Sequence, residues 1–168
     1  MIICGFDPGT RHTGYGFVRR VGNRLHRLDS GTIDTNPRAP MPERLLSIRN
    51  AINETLTSCS PDIAAVEDVF FSKNAASALK LGQVRGVILV TLAERGIHIS
   101  SLPPALVKRS VVGSGRAAKS QVQQVVRAIL GLKTLPGEDE ADALAIAIAA
   151  ANASRMALDS ARLFPERP

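Results

Sequence analysis

Ile2-Ile3-Cys4-Gly5-Phe6-Asp7-Pro8-Gly9-Thr10-Arg11-His12-Thr13-Gly14-Tyr15-Gly16-Phe17-Val18-Arg19 is the stretch on which the fold turns. Residues 2–7 form an apolar run too short for a helix and read as a buried strand. Pro8-Gly9 interrupts it with turn chemistry. Residues 13–19 alternate as a second strand. After a turn at Gly22-Asn23, residues 25–35 give a third. Three consecutive strands with short connections predict an antiparallel meander.

The chain then changes character. Pro37, Pro40 and Pro42 mark a loop, and Leu45, Leu46, Ile48, Ile52 and Leu56 recur at helical spacing over about residues 42–58. Residues 62–69 read as a fourth strand, apolar on both faces and therefore interior. A long helix is expected over 74–95 and a short fifth strand over 97–100. Pro103-Pro104 opens a further helix, since proline is tolerated in the first turn. Gly113-Ser114-Gly115 is a turn, Lys119 to Leu130 a helix ending at Gly131, and about 138–152 a last helix. Strands followed by alternating helices and strands give an α/β chain with a mixed five-stranded sheet and helices on both faces. One domain over residues 1–152 and a polar C-terminal tail over 153–168 is the expected organisation, with no internal repeat or linker.

The formal charge of +6 and pI near 10 favour a polyanionic partner. Aromatics make up only 4% and Trp is absent, so a broad base-stacking platform is excluded. Cys4 and Cys59 form no disulfide framework in a chain of this size. The N-terminus lacks the basic region and long apolar core of a signal peptide. No apolar run reaches the ~18 residues of a membrane span. The reducing cytoplasm is the expected compartment.

Acidic residues stand where apolar stretches end or begin. Asp7 closes the first strand and Glu67 the fourth. Asp139 and Asp142 precede Ala143-Leu144-Ala145-Ile146-Ala147-Ile148. If the first and fourth strands are parallel neighbours, Asp7 and Glu67 meet at one sheet edge. Asp139 and Asp142, three apart, share a helix face. Helix-dipole stabilisation accounts for Glu138, Asp139 and Glu140 but poorly for Asp142, whose face also carries Ala145, Ile146 and Ala149. A turn-forming role before Pro-Gly is the simpler reading of Asp7 taken alone. Unpaired carboxylates at such places need a counter-charge, and no Lys or Arg is adjacent in the sequence. An all-oxygen donor set without thiol or imidazole favours Mg²⁺ or Mn²⁺. A basic protein with such a site suggests phosphodiester hydrolysis.

The motif Asp7-Pro8-Gly9-Thr10 with Thr13-Gly14-Tyr15-Gly16 resembles the first motif of the RuvC family of Holliday-junction resolvases. So do Val66-Glu67-Asp68-Val69-Phe70, Lys73-Asn74-Ala75 and Ala78-Leu79-Lys80-Leu81-Gly82-Gln83. Val107-Lys108, Val111-Val112-Gly113, Lys119-Ser120-Gln121-Val122 and Asp142-Ala143-Leu144-Ala145-Ile146-Ala147 continue it, in order, from residue 2 to about 150. The resemblance implies a ribonuclease-H-like fold and a homodimer that makes paired symmetric nicks in four-way junction DNA, in recombination and repair. It implies two Mg²⁺ per subunit, with Mn²⁺ able to substitute, and a branch-migration motor as partner. Its catalytic and metal-binding acids map onto Asp7, Glu67, Asp139 and Asp142, with Glu138 and Glu140 as alternatives at the third place. Asp68 departs from the pattern, where a neutral residue commonly follows the glutamate.

For DNA contact the resemblance selects Lys108 and Lys119. Lys73, Arg109 and Arg116 join them as basic residues near the acids, each equally readable as solvated surface. Phe70 matches the aromatic that reaches an unstacked base, against a default reading as a core ring. Phe71 has no such match. His12 follows the Asp7 loop within reach of DNA, while His26 and His98 read as ordinary strand residues. Gly82 and Gly86, four apart in a helix interior, each cost about 1 kcal/mol against alanine. Close approach of a partner helix would offset that, and the resemblance puts the dimer interface there.

Three other readings compete. An actin-like or sugar-kinase-like ATPase also uses Asp-x-Gly-Thr after a strand, but needs two such domains. The stretch 113–120 (GSGRAAKS) approaches a phosphate loop but has Ala118 where glycine is required. A junction binder without catalysis would not need all four acids. A relative acting on RNA or plain duplexes is set aside only by the motifs.

Overall fold

The computed structural model of the protein describes residues 1–68 and 75–163, with side chains through Ser154. Strands β1 (Ile2–Asp7), β2 (His12–Val21) and β3 (Arg24–Asp34) form the expected meander. Helix α1 (Met41–Ser58) leads into β4 (Ile63–Glu67), then α2 (Ala75–Glu94) and β5 (His98–Leu102). Helices α3 (Pro104–Val112), α4 (Lys119–Leu130) and α5 (Glu138–Leu163) follow. The sheet order is β3-β2-β1-β4-β5. β1 pairs antiparallel with β2 and parallel with β4, and β4 pairs parallel with β5.

Side-chain alternation along β1 divides the interior. Cys4 and Phe6 enter a cluster with Phe17, Ile48, Ile52, Leu56, Val84, Ile88 and Leu92, which seats α1 and α2. Ile3 enters the opposite cluster, with Val18, Val107, Val122, Val126 and the run Leu144 to Ala151, which seats α3, α4 and α5. The central helix of that layer is α5, fully buried from Ala143 to Ile146.

Glycine lets α5 lie on the sheet backbone. A Cβ at Gly5 would stand 2.3 Å from the Ala143 carbonyl oxygen, and one at Gly14 would stand 2.1 Å from that of Asp139. Neither fits, so the residues in β1 and β2 beneath the start of α5 must lack side chains.

Two boundaries differ from expectation. α5 continues to Leu163 rather than ending near 152. Residues 153–163 contain no glycine or proline, and good helix formers such as Ala, Arg, Met and Leu predominate. Loss of the apolar pattern after Ala151 therefore does not end the helix. Helix α2 is also long and apolar enough, by length and composition, to cross a membrane. That corrects the expectation that no run approaches a span. Lys80 and Arg85 interrupt its apolar positions.

Candidate carboxylate site

The register of β1 and β4 carries Asp7 and Glu67 to the same end of the sheet, since Phe6 pairs with Val66. Asp139 and Asp142 arrive from the first turns of α5, held there by the contact of Asp139 with Gly14, the partner of Asp7 in β2. The loop after Asp7 is tied from three sides. Thr13 Oγ1, fully buried, donates to the Gly9 carbonyl at 2.7 Å. Thr35 Oγ1 donates to the Thr10 carbonyl at 2.7 Å, and the Arg44 guanidinium donates to the same oxygen. Gly9 is required here, because a Cβ would stand 1.8 Å from the His12 carbonyl oxygen. The motif residues Pro8 to Thr13 are therefore a rigid mount for Asp7. Thr35 and Arg44, which no motif singled out, are part of it.

The acids repel one another. Burial, and then the charges of Glu67, Asp142 and Asp139, push the Asp7 carboxyl up to about 8. Burial and Asp142 raise Glu67 to about 7, against the opposing pull of Lys108 and Lys119. Asp142 is raised by burial, although Lys119 pulls it down. Burial would lower Lys119, but attraction to Asp142 and a hydrogen bond to it, with Glu138 and Asp139, raises it on balance.

Lys119 Nζ lies 3.3 Å from Asp142 and 3.6 Å from Glu138. No cation neighbours the acids in sequence, yet one reaches them in space, because α4 packs against α5. It leaves the site short of positive charge all the same, as the raised carboxyls record.

The two alternatives to Asp139 are committed elsewhere. Glu140 accepts from Ser30 Oγ at 2.6 Å and from the Gly137 N–H at 3.2 Å, with Arg27 at 3.5 Å. It caps its own helix and fastens that helix to β3. Glu138 is largely exposed and faces Lys119. Asp68 is likewise engaged, by Arg85 at 2.8 Å.

All four acids are oxygen donors, mutually repelling and undercompensated by protein cations. That is the donor set a hard divalent cation suits. Among the described residues no three such side chains already converge on a common point. Asp142 is turned to Lys119, and the site as it stands is one of electrostatic proximity rather than a formed cage.

Of the residues expected at DNA, Lys108 and Lys119 act electrostatically on the acids. Arg116 is exposed in the turn between α3 and α4, and Arg109 is exposed on α3. His12 is paired with Asp34 at 2.7 Å. Phe70, Phe71 and Lys73 lie outside the described residues. Among the described residues, no atom lies within 4 Å of where a Cβ would be at Gly82 or Gly86, apart from the helix itself. A cleft of about 550 Å³ between the β2–β3 hairpin and α4 and α5 is lined by Arg20, Arg24 and Ile129 among others and contains none of the acids. The acids sit instead, partly buried, at the ends of the adjacent interior strands β1 and β4 and on the first turns of α5.

A family model described as crossover junction endodeoxyribonuclease RuvC matches residues 3–150. The chain belongs to the RuvC family. It is similar to the RuvC of Geobacter sp. strain M21, 47% identical over 156 residues, covering 93% of this chain and 95% of that one. Among solved structures it is similar to Thermus thermophilus RuvC in complex with a Holliday junction substrate, at TM-score 0.88 and 38% identity. That match covers 94% of this chain and 96% of the other. The yeast mitochondrial Holliday junction resolvase shares the fold, at TM-score 0.64 and 13% identity over 88% of this chain and 76% of that one. The five-stranded mixed sheet is that of these RuvC-like, ribonuclease-H-like proteins.

Proposed function

We propose that this RuvC-family chain resolves four-way DNA junctions as an endonuclease, by paired symmetric hydrolysis of phosphodiesters. The observation that carries the reading is that the ends of adjacent strands β1 and β4 and the first turns of α5 bring Asp7, Glu67, Asp139 and Asp142 into mutual repulsion, with more negative charge than the nearby lysines offset. These four would hold divalent metal, two Mg²⁺ per subunit with Mn²⁺ as a substitute. When bound, the ions would supply an ionised water and compensate charge on the phosphate and the leaving 3′ oxygen. The protein's own residues do the remainder. The pinned Asp7 loop and the glycine-seated start of α5 fix the carboxylates relative to one another, so little reorganisation accompanies reaction. Lys119 and Lys108 bring positive charge to the edge where a phosphate would lie. On the sequence pattern, Arg116 and Lys73 would be further phosphate contacts and Phe70 the ring that reaches an unpaired base.

The exposed face of α2 supports assembly as a homodimer. Leu79 and Val90 are 71% and 56% exposed on α2, which also carries Gly82 and Gly86 with open space above them. A second copy seated there would place two identical sites on a two-fold-symmetric junction. A branch-migration motor is the expected further partner and the cytoplasm the compartment. Residues 1–152 would form the nuclease unit and 153–168 its appendage.

The test is cleavage of a synthetic four-way junction beside duplex, fork and RNA–DNA hybrid, with Mg²⁺ and with chelator. Mg²⁺-dependent paired nicks in the junction alone are expected. Equal cleavage of plain duplex or hybrid would overturn the substrate assignment.

A further inference from the structure

Asp68 is the acid that the family pattern does not ask for. Arg85 of α2 meets it across the end of β4. The Arg85 Nη2 group donates to Asp68 Oδ1 at 2.8 Å and to Ser101 Oγ at 2.6 Å. Its Nε–H donates to the Glu67 carbonyl at 3.2 Å. The pair is only partly exposed, 22% at Arg85 and 35% at Asp68. One guanidinium thus joins α2, the last residue of β4, the residue after it, and β5. The Asp68 N–H also donates to the Leu102 carbonyl at 3.0 Å, which extends the β4–β5 pairing by one step past Glu67.

We infer that Arg85 is a positioning residue for Glu67, and that Asp68 is its counter-ion rather than a fifth metal ligand. The inference rests on the reading of Glu67 as a metal-binding carboxylate. A planar guanidinium presents several donors in fixed directions, so three acceptors on two strands are held in one arrangement. Lysine offers a point charge without that geometry. The Glu67 backbone has its side chain on one side and Arg85 on its carbonyl. Fixing the carbonyl fixes the direction in which the carboxylate leaves the strand. Without Asp68, a partly buried Arg85 would lose its charge partner. The acid therefore serves the arginine, and through it Glu67.

The placement on α2 gives this link a second consequence. Arg85 stands three residues after Gly82 and one before Gly86, on the helix whose glycines lie open. A second copy docking on α2 would restrict the helix that carries the guanidinium. Assembly and the setting of Glu67 are then coupled through one side chain.

The experiment uses the full chain with Arg85→Gln, Arg85→Lys, Asp68→Asn and the double variant Arg85→Gln/Asp68→Asn, beside Glu67→Gln. Single-turnover junction cleavage, junction Kd and Mn²⁺ affinity of the DNA-free protein are measured, with melting temperature as a check of folding. Partners that orient a metal ligand typically change metal affinity or rate by about 10–100-fold. Arg85→Gln is expected to lower both Mn²⁺ affinity and cleavage rate by that order with Kd for the junction unchanged. Asp68→Asn, nearly isosteric, is expected to do the same to a smaller degree. The double variant should be no worse than Arg85→Gln, and Arg85→Lys should recover part of the loss. Unchanged Mn²⁺ affinity in both single variants, or losses that multiply in the double, would overturn the inference. An Asp68→Asn loss undiminished on the Arg85→Gln background would make Asp68 a ligand itself. If Glu67→Gln retains full cleavage, the underlying reading fails instead, so the two failures are distinguishable.

Discussion

Helices α5 and α2 meet glycine in opposite ways. Under α5, Gly5 and Gly14 are closed: a methyl group at either would penetrate backbone atoms of the helix. On α2, Gly82 and Gly86 are open: among the described residues nothing outside the helix lies within 4 Å of a Cβ at either. The same residue type therefore marks a contact already made and, in our reading, a contact still to be made. Charge follows the same division. The closed side holds mutually repelling carboxylates, and the open side presents apolar Leu79 and Val90 to solvent.

The largest effect should come from filling a closed glycine. Gly14→Val places a branched side chain where the Asp139 carbonyl lies. Overpacking a core costs about 1–3 kcal/mol where side chains can yield. Here the obstacle is helix backbone, so the loss should exceed that range and remove cleavage together with the folding transition. Thermal melting and junction cleavage read it. A variant that melts and cuts like the parent would show that α5 does not bear on β2 as described.

Asp7→Asn separates the site from its scaffold. Cleavage should fall by about 10²–10³-fold, as for loss of a major charge-stabilising group. Stability should move the other way. In chelator, folded Asp7 keeps its proton up to about pH 8, while the unfolded chain releases it in the ordinary carboxylate range. The folded state then binds more protons between about pH 4 and 8, so stability falls as pH rises through that window. Asp7→Asn removes the Asp7 share of this slope, while Glu67, raised to about 7, keeps its own. The variant's melting temperature should exceed the parent's by several degrees at pH 8, at roughly 2–4 °C per kcal/mol for a domain of this length, and match it near pH 4. A parallel pH dependence in both proteins would mean that the acids are not in conflict.

Gly82→Leu tests the open face. The side chain has room in the monomer, and replacing an interior helical glycine gains up to about 1 kcal/mol of helix propensity. The melting temperature should hold or rise while sedimentation shows a weaker dimer and paired nicking declines. A dimer of unchanged affinity would remove the glycines from the interface.

How much of this was legible beforehand depends on how local the signal is. Asp7 and Glu67 were found because an apolar run ending in an acid is visible within seven residues, and Pro8-Gly9 breaks the first strand. The parallel pairing of β1 and β4 followed from their apolar character and the order of elements. The seating of Asp139 on Gly14 was not legible. Nothing near Gly14 in the chain says which backbone will lie across it. Lys119 was singled out for DNA by pattern, but its contact with Asp142 depends on how α4 packs against α5. The engagement of Glu140 by Ser30 lies across the same long interval. The end of α5 was misjudged because loss of apolar periodicity was read as loss of helix.

Lys119→Ala is the smallest perturbation and distinguishes two roles. The side chain is 55% exposed, so its pair with Asp142 contributes little to folding, within the ~0–1 kcal/mol usual for such contacts. Melting temperature should barely change. If the lysine meets a phosphate when DNA arrives, affinity should fall about equally for all junction sequences, and the slope of log affinity against log salt should flatten by about one unit. Its other role is toward the acids. Lys119 pulls down the carboxyls of both Asp142 and Glu67, so removing it should raise them further. Protons then compete with the cation at higher pH, and the rising limb of the cleavage–pH profile should move to more alkaline pH. A flattened salt slope with an unmoved pH limb would leave Lys119 as a phosphate contact only. A moved limb with an unchanged slope would make it solely a partner of Asp142, and both changes together would place it at the junction of the basic surface and the acidic edge.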